Sequence, residues 1–222
     1  MVGTEDTVVG THPDVSQGDM WHTAKVWGRH LLCFTLPVLT LSFLATGPHA
    51  WYWVLPWFAP GFLMDYLDRN SRADREQPSA SLARWPFDLT LYALVALQVT
   101  TIVLLLHMVA QAGTWSLDFF AAFLFVGGSS AWSGIVVAHE LIHRRERHFQ
   151  FLGRLMLVTV LYEHFYTEHL RGHHVRIATA DDPATARFGE TFWHFLRRTV
   201  PAQFRSAWHL ETARLGLSLI HI

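Results

Sequence analysis

Charged residues are absent from three long stretches of this chain. Between Arg29 and Asp65 lie 35 residues without Asp, Glu, Lys or Arg, between Asp88 and Asp118 lie 29, and between Asp118 and Glu140 another 21. A helix crosses roughly 30 Å of hydrocarbon with about 20 apolar residues at ~1.5 Å rise. The pattern therefore predicts an all-α, multispanning integral membrane protein. The first stretch is too long for one span, and Gly47-Pro48 divides it, because proline lacks a donor and glycine favours a turn. Helices are expected over about 26–46 and 49–64, paired as a membrane hairpin, then over about 87–110 and from Leu117 to about His143. A fifth apolar helix, too short to span alone, is expected over 151–167, and from Glu168 onward the chain is polar.

Charge adds an orientation. Arg69, Arg72, Arg75 and Arg84 crowd the loop after Asp65, and Arg144, Arg145, Arg147 and Arg154 follow the fourth helix. Arginine-bearing loops mark the cytoplasmic side, and two spans separate these two. Both loops, the N-terminus and the histidines beside Arg144 are thus expected in the cytoplasm, with the 111–116 turn outside. The first 25 residues, with Glu5, Asp6, Asp14 and Asp19, do not read as a signal peptide. A net charge of −1 gives no reason to expect a nucleic-acid partner. Cys33 is the single cysteine, so a disulfide, a thiolate metal site or an iron–sulfur cluster cannot be built within this sequence.

Seven of the fifteen histidines fall between residues 139 and 174. His139 and His143 are four apart at a helix end and share a face; His169 and His173 repeat that spacing, with His174 one step round. A lone histidine is usually a hydrogen-bonded structural residue, but five in two helix-spaced groups point to metal. Residues 139–143 read His-Glu-Leu-Ile-His, the zinc-protease spacing with Glu140 as base, so an intramembrane zinc protease is a rival reading. Five histidines overfill one tetrahedral zinc site and underfill two octahedral ones, which favours a binuclear site with further ligands elsewhere.

Residues 139–143 and 168–190 (EHLRGHHVRIATADDPATARFGE) resemble the first and second histidine boxes of the alkane 1-monooxygenase family, within the membrane fatty acid desaturase/hydroxylase superfamily. The likeness runs through Glu168, His169, Gly172, His173, His174, Ala178, Thr179, Asp182, Pro183, Ala184, Arg187, Gly189 and Glu190. It departs at Leu170, where the family usually has Asn, and at Ile142, where it usually has Gly. The resemblance implies a histidine-box di-iron hydroxylase fold in the bacterial inner membrane. His139, His143, His169, His173 and His174 would be iron ligands for two iron ions. It further implies O₂-dependent hydroxylation of terminal C–H bonds in alkanes or similar chains, with electrons from NAD(P)H through an external reductase and rubredoxin. A fatty-acyl desaturase or another lipid hydroxylase is the nearest alternative. The family's later Glu-His-Tyr-Gly segment and third histidine cluster are not in this sequence, so it is expected to hold part of the ligand set and to be inactive alone. Residues 217–222 (LSLIHI) match a translated sequencing-library transposon end, so 1–216 is expected to be a single domain with a non-native tail.

Other residues earn smaller expectations. Glu140, Asp182 and Glu190 are candidates to accept hydrogen bonds from ligand imidazoles. His164 would line the site or make a structural hydrogen bond, the second being favoured. Arg144, Arg145 and Arg147 would meet lipid headgroups or an acidic redox partner. Trp51, Trp53 and Trp57 fit an interfacial aromatic belt, and Trp57 is a candidate stop in a substrate channel.

Overall fold

A computed structural model describes residues 17–71, 82–112 and 115–216. The polar start, the arginines at 72 and 75 and the 217–222 tail lie outside the described residues. Every regular element among the described residues is helical. Helices α1 (Gln17–His30) and α2 (Thr35–Thr46) join through a 3₁₀ turn at Leu31–Phe34 into one rod. After the break at Gly47, short turns at Trp51–Val54 and Leu55–Phe58 lead into α3 (Ala59–Asn70). Helices α4 (Trp85–Ala112) and α5 (Leu117–Ser129) follow, and α5 continues through a π-helical segment, Ser130–Ile135, into α6 (Val136–Ile142).

Among the described residues, three helices are long and apolar enough to cross a membrane: Met20–Thr46, Trp85–Gln111 and Leu117–Ile142. The break expected at Gly47 is present, and the arm after it is not among the helices long and apolar enough to span. Two contacts fix the ends of the bundle. Trp27 Nε1 donates to Thr90 Oγ1 at 2.9 Å near the start of α4. At the other end the His49 backbone N–H donates to Asp118 Oδ2 at 2.6 Å, and Ser116 caps α5. The rod and α4 therefore run parallel, and the chain must return between Ala50 and Trp85. Phe43, Val54, Ala121, Ala122 and Phe125 pack the far end.

The near end is packed by α4, α6 and α7 (Arg147–Thr159), through Leu94, Val95, Ala138, Leu141, Ile142, Met156 and Leu157. The helix expected over 151–167 is in fact two. The Tyr162 N–H donates to Leu157 O (2.8 Å) and the Leu161 N–H to Val158 O (3.0 Å), while Leu161 takes φ 56°. That is a Schellman stop with leucine where glycine is usual, which is why the composition did not announce it. The chain turns and restarts as α8 (His164–Thr167), which runs through a second π segment, Glu168–His173, to Arg176. After an irregular loop, α9 (Phe192–Arg214) packs across α8 and this π segment.

Two features set where α6 points. Gln98, buried in α4, donates through Nε2 to Ser130 Oγ (2.9 Å) and Thr159 Oγ1 (3.1 Å), tying the first π segment to α4 and to the end of α7. Gly153 lets α7 lie directly on α6: a Cβ there would sit 2.8 Å from Ile142 Cγ2 and 2.9 Å from the Ala138 carbonyl. Gly153→Ala should therefore lower stability by about 1–3 kcal/mol, the usual cost of overpacking. Gly128→Ala, which meets nothing within 4 Å, should be close to neutral. Thermal unfolding of both variants in detergent checks this; equal midpoints would show the α6–α7 approach to be loose.

Candidate metal centre

His139 and His143 leave the end of α6, and their Nε2 atoms lie 3.3 Å apart. Across from them the π segment brings His169 to 3.0 Å from His143, Nε2 to Nε2. His174 Nε2 also lies 3.0 Å from His169 Nε2. The five-residue step from 169 to 174 is the π-helical repeat, so the residue that meets His169 end-on is His174. The α-helical reading aligned His169 with His173 instead. That ring stacks on His169 at 5.4 Å between centroids.

These contacts cannot all be hydrogen bonds. Each Nε2 carries either one proton or one lone pair, yet His143 and His169 each take part in two contacts. A cation receiving the lone pairs satisfies all of them together. Two imidazole nitrogens about 2.1 Å from one ion stand about 3.0 Å apart at a right angle and about 3.4 Å at the tetrahedral angle. The His139–His143 and His143–His169 pairs, at 3.3 and 3.0 Å, meet that requirement, and the nitrogens of all three residues lie within 4.8 Å of one another. Burial, with the neighbouring histidines adding to it, holds His169 down at about 3, from an ordinary 6.5, and pushes His143 the same way. Both stay neutral, the ligating form. Phe165 lies flat on His169 (4.6 Å, 18°) and closes that side, while His139, His143 and His174 are exposed on the other.

His173 is held by the loop. Its Nδ1 donates to Asp182 Oδ2 at 2.9 Å, which leaves Nε2 as the nitrogen with the lone pair. Asp182 is itself buried and accepts from the Ala184 N–H (3.0 Å) and the Thr185 hydroxyl. Burial alone would raise its carboxyl, but these donors outweigh it and hold the group below the usual range. Arg198 on α9 secures the loop by donating to the Pro183 and Thr185 carbonyls at 3.1 and 3.0 Å, and to both oxygens of Glu190 at 2.8 Å. Glu190 thus touches none of the five histidines; it holds the arginine that holds the loop.

The remaining candidates fall outside the cluster. Glu140 pairs with Arg144 at 2.9 Å, and Arg144 also reaches Asp88 at 3.4 Å, so this arginine is engaged within the protein and only Arg145 and Arg147 are left exposed. His164 lies between the rings of Tyr162 and Phe204, and its buried Nε2 has no partner, so the hydrogen bond expected there is absent. Trp57 packs on Phe43 and His49 at the far end of the bundle, half-buried, whereas Trp51 and Trp53 are exposed.

Residue-by-residue reading passed over Glu168 and Arg176. Glu168 is fully buried; Oε1 accepts from Arg176 at 3.1 Å, and Arg176 donates on to Ser206 Oγ of α9 at 2.6 Å. The pair crosses directly over Gly172, where a Cβ would lie 2.5 Å from both partners, so a side chain there would displace the ion pair. The signal was available: Glu168, Gly172 and Arg176 recur at four-residue steps, one face of a helix.

Residues 113–220 match the fatty acid desaturase family. The chain is homologous to alkane 1-monooxygenases. It is 33% identical to alkane 1-monooxygenase 1 of Pseudomonas aeruginosa over 85% of this chain and 51% of that protein. To alkane 1-monooxygenase 2 of the same organism it is 34% identical over 78% of this chain and 48% of the relative. To alkane 1-monooxygenase 1 of Alcanivorax borkumensis it is 29% identical over 90% and 51%. The chain spans about half the length of these relatives.

Two outcomes follow from the loop. Asp182→Asn should weaken metal retention roughly 10–100-fold, the usual cost of losing a carboxylate behind a histidine ligand; competition against a chelator measures it, and unchanged retention would put His173 outside the site. Hydrogen bonds from Arg198 and the Arg187 N–H hold Glu190 at about 2, against an ordinary 4.5. A depressed carboxyl adds stability that is complete above its unfolded value and fades as pH falls toward the folded one. The stability lost in Glu190→Gln should therefore shrink as pH is lowered from about 6 to about 3 in denaturant titrations. A gap constant with pH would remove the pair from the account.

Proposed function

We propose that this chain carries part of the non-haem di-iron centre of a membrane alkane hydroxylase, with His139, His143, His169, His173 and His174 as iron ligands. The reaction is RH + O₂ + 2e⁻ + 2H⁺ → ROH + H₂O at a terminal carbon. The observation that carries this reading is the convergence of Nε2 atoms from α6 and the second π segment, at the end of two span-length apolar helices. Similarity to alkane 1-monooxygenases favours iron and hydrocarbon over zinc and peptide. Bound iron would supply the electron and dioxygen chemistry that side chains lack.

The chain's own residues do the positioning. Asp182 fixes the tautomer of His173, and burial keeps His169 unprotonated. Phe165 excludes water from one face of His169. The apolar bundle would admit a hydrocarbon from the bilayer. Trp57 stands by His49 and Asp118, and from Asp118 to His139 is about 31 Å along the helix at ~1.5 Å per residue, so it would bound the length of chain accepted. Arg145, Arg147 and Arg154 beside the histidine end support a cytoplasmic site in a bacterial inner membrane. Electrons would arrive from NAD(P)H through a reductase and a rubredoxin-type protein, since Cys33 alone cannot hold a redox cluster.

Metal and product analysis of the protein expressed from its complete reading frame tests this. Iron is expected, lost in His169→Ala, together with a primary alcohol from a linear alkane. Zinc without iron refutes the oxygenase, and an alkene product makes it a desaturase.

A further inference from the structure

Helix α9 carries a buried row and an exposed aromatic row, with Arg197 inside the exposed sector. Thr199, Gln203 and Ala207 are buried against the histidine-bearing segment, where Gln203 Oε1 accepts from Tyr162 Oη at 2.8 Å. A second face carries Trp193, Val200, Phe204 and Trp208, which fall within a sector of about 80° at 3.6 residues per turn. They are 66%, 44%, 52% and 47% exposed. Leu161, held out by its left-handed backbone and 90% exposed, precedes the Tyr162 that bonds α9, and Phe204 meets the ring of His164 at 5.3 Å. The turn and the aromatic row therefore adjoin, and Phe151 and Val158 extend the exposed apolar surface along α7.

Beside this row runs an open groove of about 740 Å³ between α9 and the 176–187 loop. Arg176 and Arg198 on its inner wall are committed to Glu168 and Glu190. Arg187, Arg197 and Arg205 also line it and form no ion pair among the described residues, and Asp181 is the one carboxylate in the lining. An acidic protein would answer the arginines but not the adjoining Trp, Phe and Leu. A bilayer answers both, and the same chain already enters one. Aromatic side chains settle at the headgroup level, and arginine forks bind phosphate in pairs of hydrogen bonds.

We propose that α9 and the Leu161 turn lie on the bilayer surface, with the Trp193–Trp208 row at the acyl boundary and the Arg187–Arg197–Arg205 groove holding the phosphate of an anionic phospholipid.

The test uses the complete protein in nanodiscs of phosphatidylcholine with and without phosphatidylglycerol. In a Cys33→Ala background, nitroxides at Phe204→Cys and Trp208→Cys should be relaxed by lipid-soluble oxygen more than by an aqueous nickel complex, and one at His194→Cys the reverse. Phosphatidylglycerol retained through purification should fall roughly five-fold per arginine reversed in Arg197→Glu and Arg205→Glu, and persist in the lysine variants. Labels at 204 and 208 reached mainly by nickel would overturn the proposal. So would labels shielded from both reagents, which would mean a protein covers the face. Equal lipid retention in the Glu and Lys variants would overturn the headgroup site. Neither readout depends on metal or turnover, so an error in the assigned reaction would leave this result intact.

Discussion

Neutral imidazoles repel one another's lone pairs, and four of them meet nitrogen to nitrogen at 3.0 to 3.3 Å in this protein. Neutral tautomers can turn at most two of these three contacts into N–H···N hydrogen bonds, whereas a cation accepts all four lone pairs, so the surrounding chain must hold the rings in place. Much of the near end serves this purpose. The α6 histidines are backed by α7, which approaches closely only because residue 153 has no side chain. His169 is pressed between Phe165 and His173, and His173 is tied at its back nitrogen to a buried aspartate. Removing one support leaves a ring free to rotate away from its neighbours, which relieves the repulsion and loses the site.

The two π segments are the local means by which helices meet this demand. An extra residue in a turn changes the facing of everything beyond it. The segment at Ser130–Ile135 precedes His139 by one turn, and Gln98 secures it with hydrogen bonds to Ser130 and to Thr159. A buried amide inside an apolar helix is costly unless its donors are used, and here both bonds come from the same Nε2. The segment at Glu168–His173 is held by different means. The Glu168–Arg176 pair spans it over Gly172, and Arg176 continues to Ser206.

Much of this was legible in the sequence. Charge-free stretches gave the span-length helices and the break at Gly47, because the cost of burying a charge in hydrocarbon is large enough to override local detail. Histidine spacing gave the two groups that form the cluster. What it could not give was anything that turns on one residue of helical register. The 169–174 contact depends on a π turn, and π turns have no compositional mark comparable to proline or glycine. The stop at Leu161 is of the same kind, since its carbonyls are capped in a glycine-type geometry by a leucine. Glu190 was placed near the histidines because it closes the same string of residues. Its carboxylate instead acts two steps away, through Arg198 and the loop carbonyls.

That indirect arrangement makes α9 part of the site without supplying a ligand. Arg198 and Thr199 grip the Pro183 carbonyl, Ser206 takes Arg176, and Glu211 accepts from Thr167 at 2.7 Å. Four points along one rigid helix therefore fix the loop behind His173 and the helix bearing His169. The adjoining side of α9 carries its exposed aromatic row. A helix of 23 residues moves as a unit when its contacts lie along its whole length. The outer side chains of α9 and those that hold the histidine-bearing segments are different residues of one helix, so the helix itself joins the two.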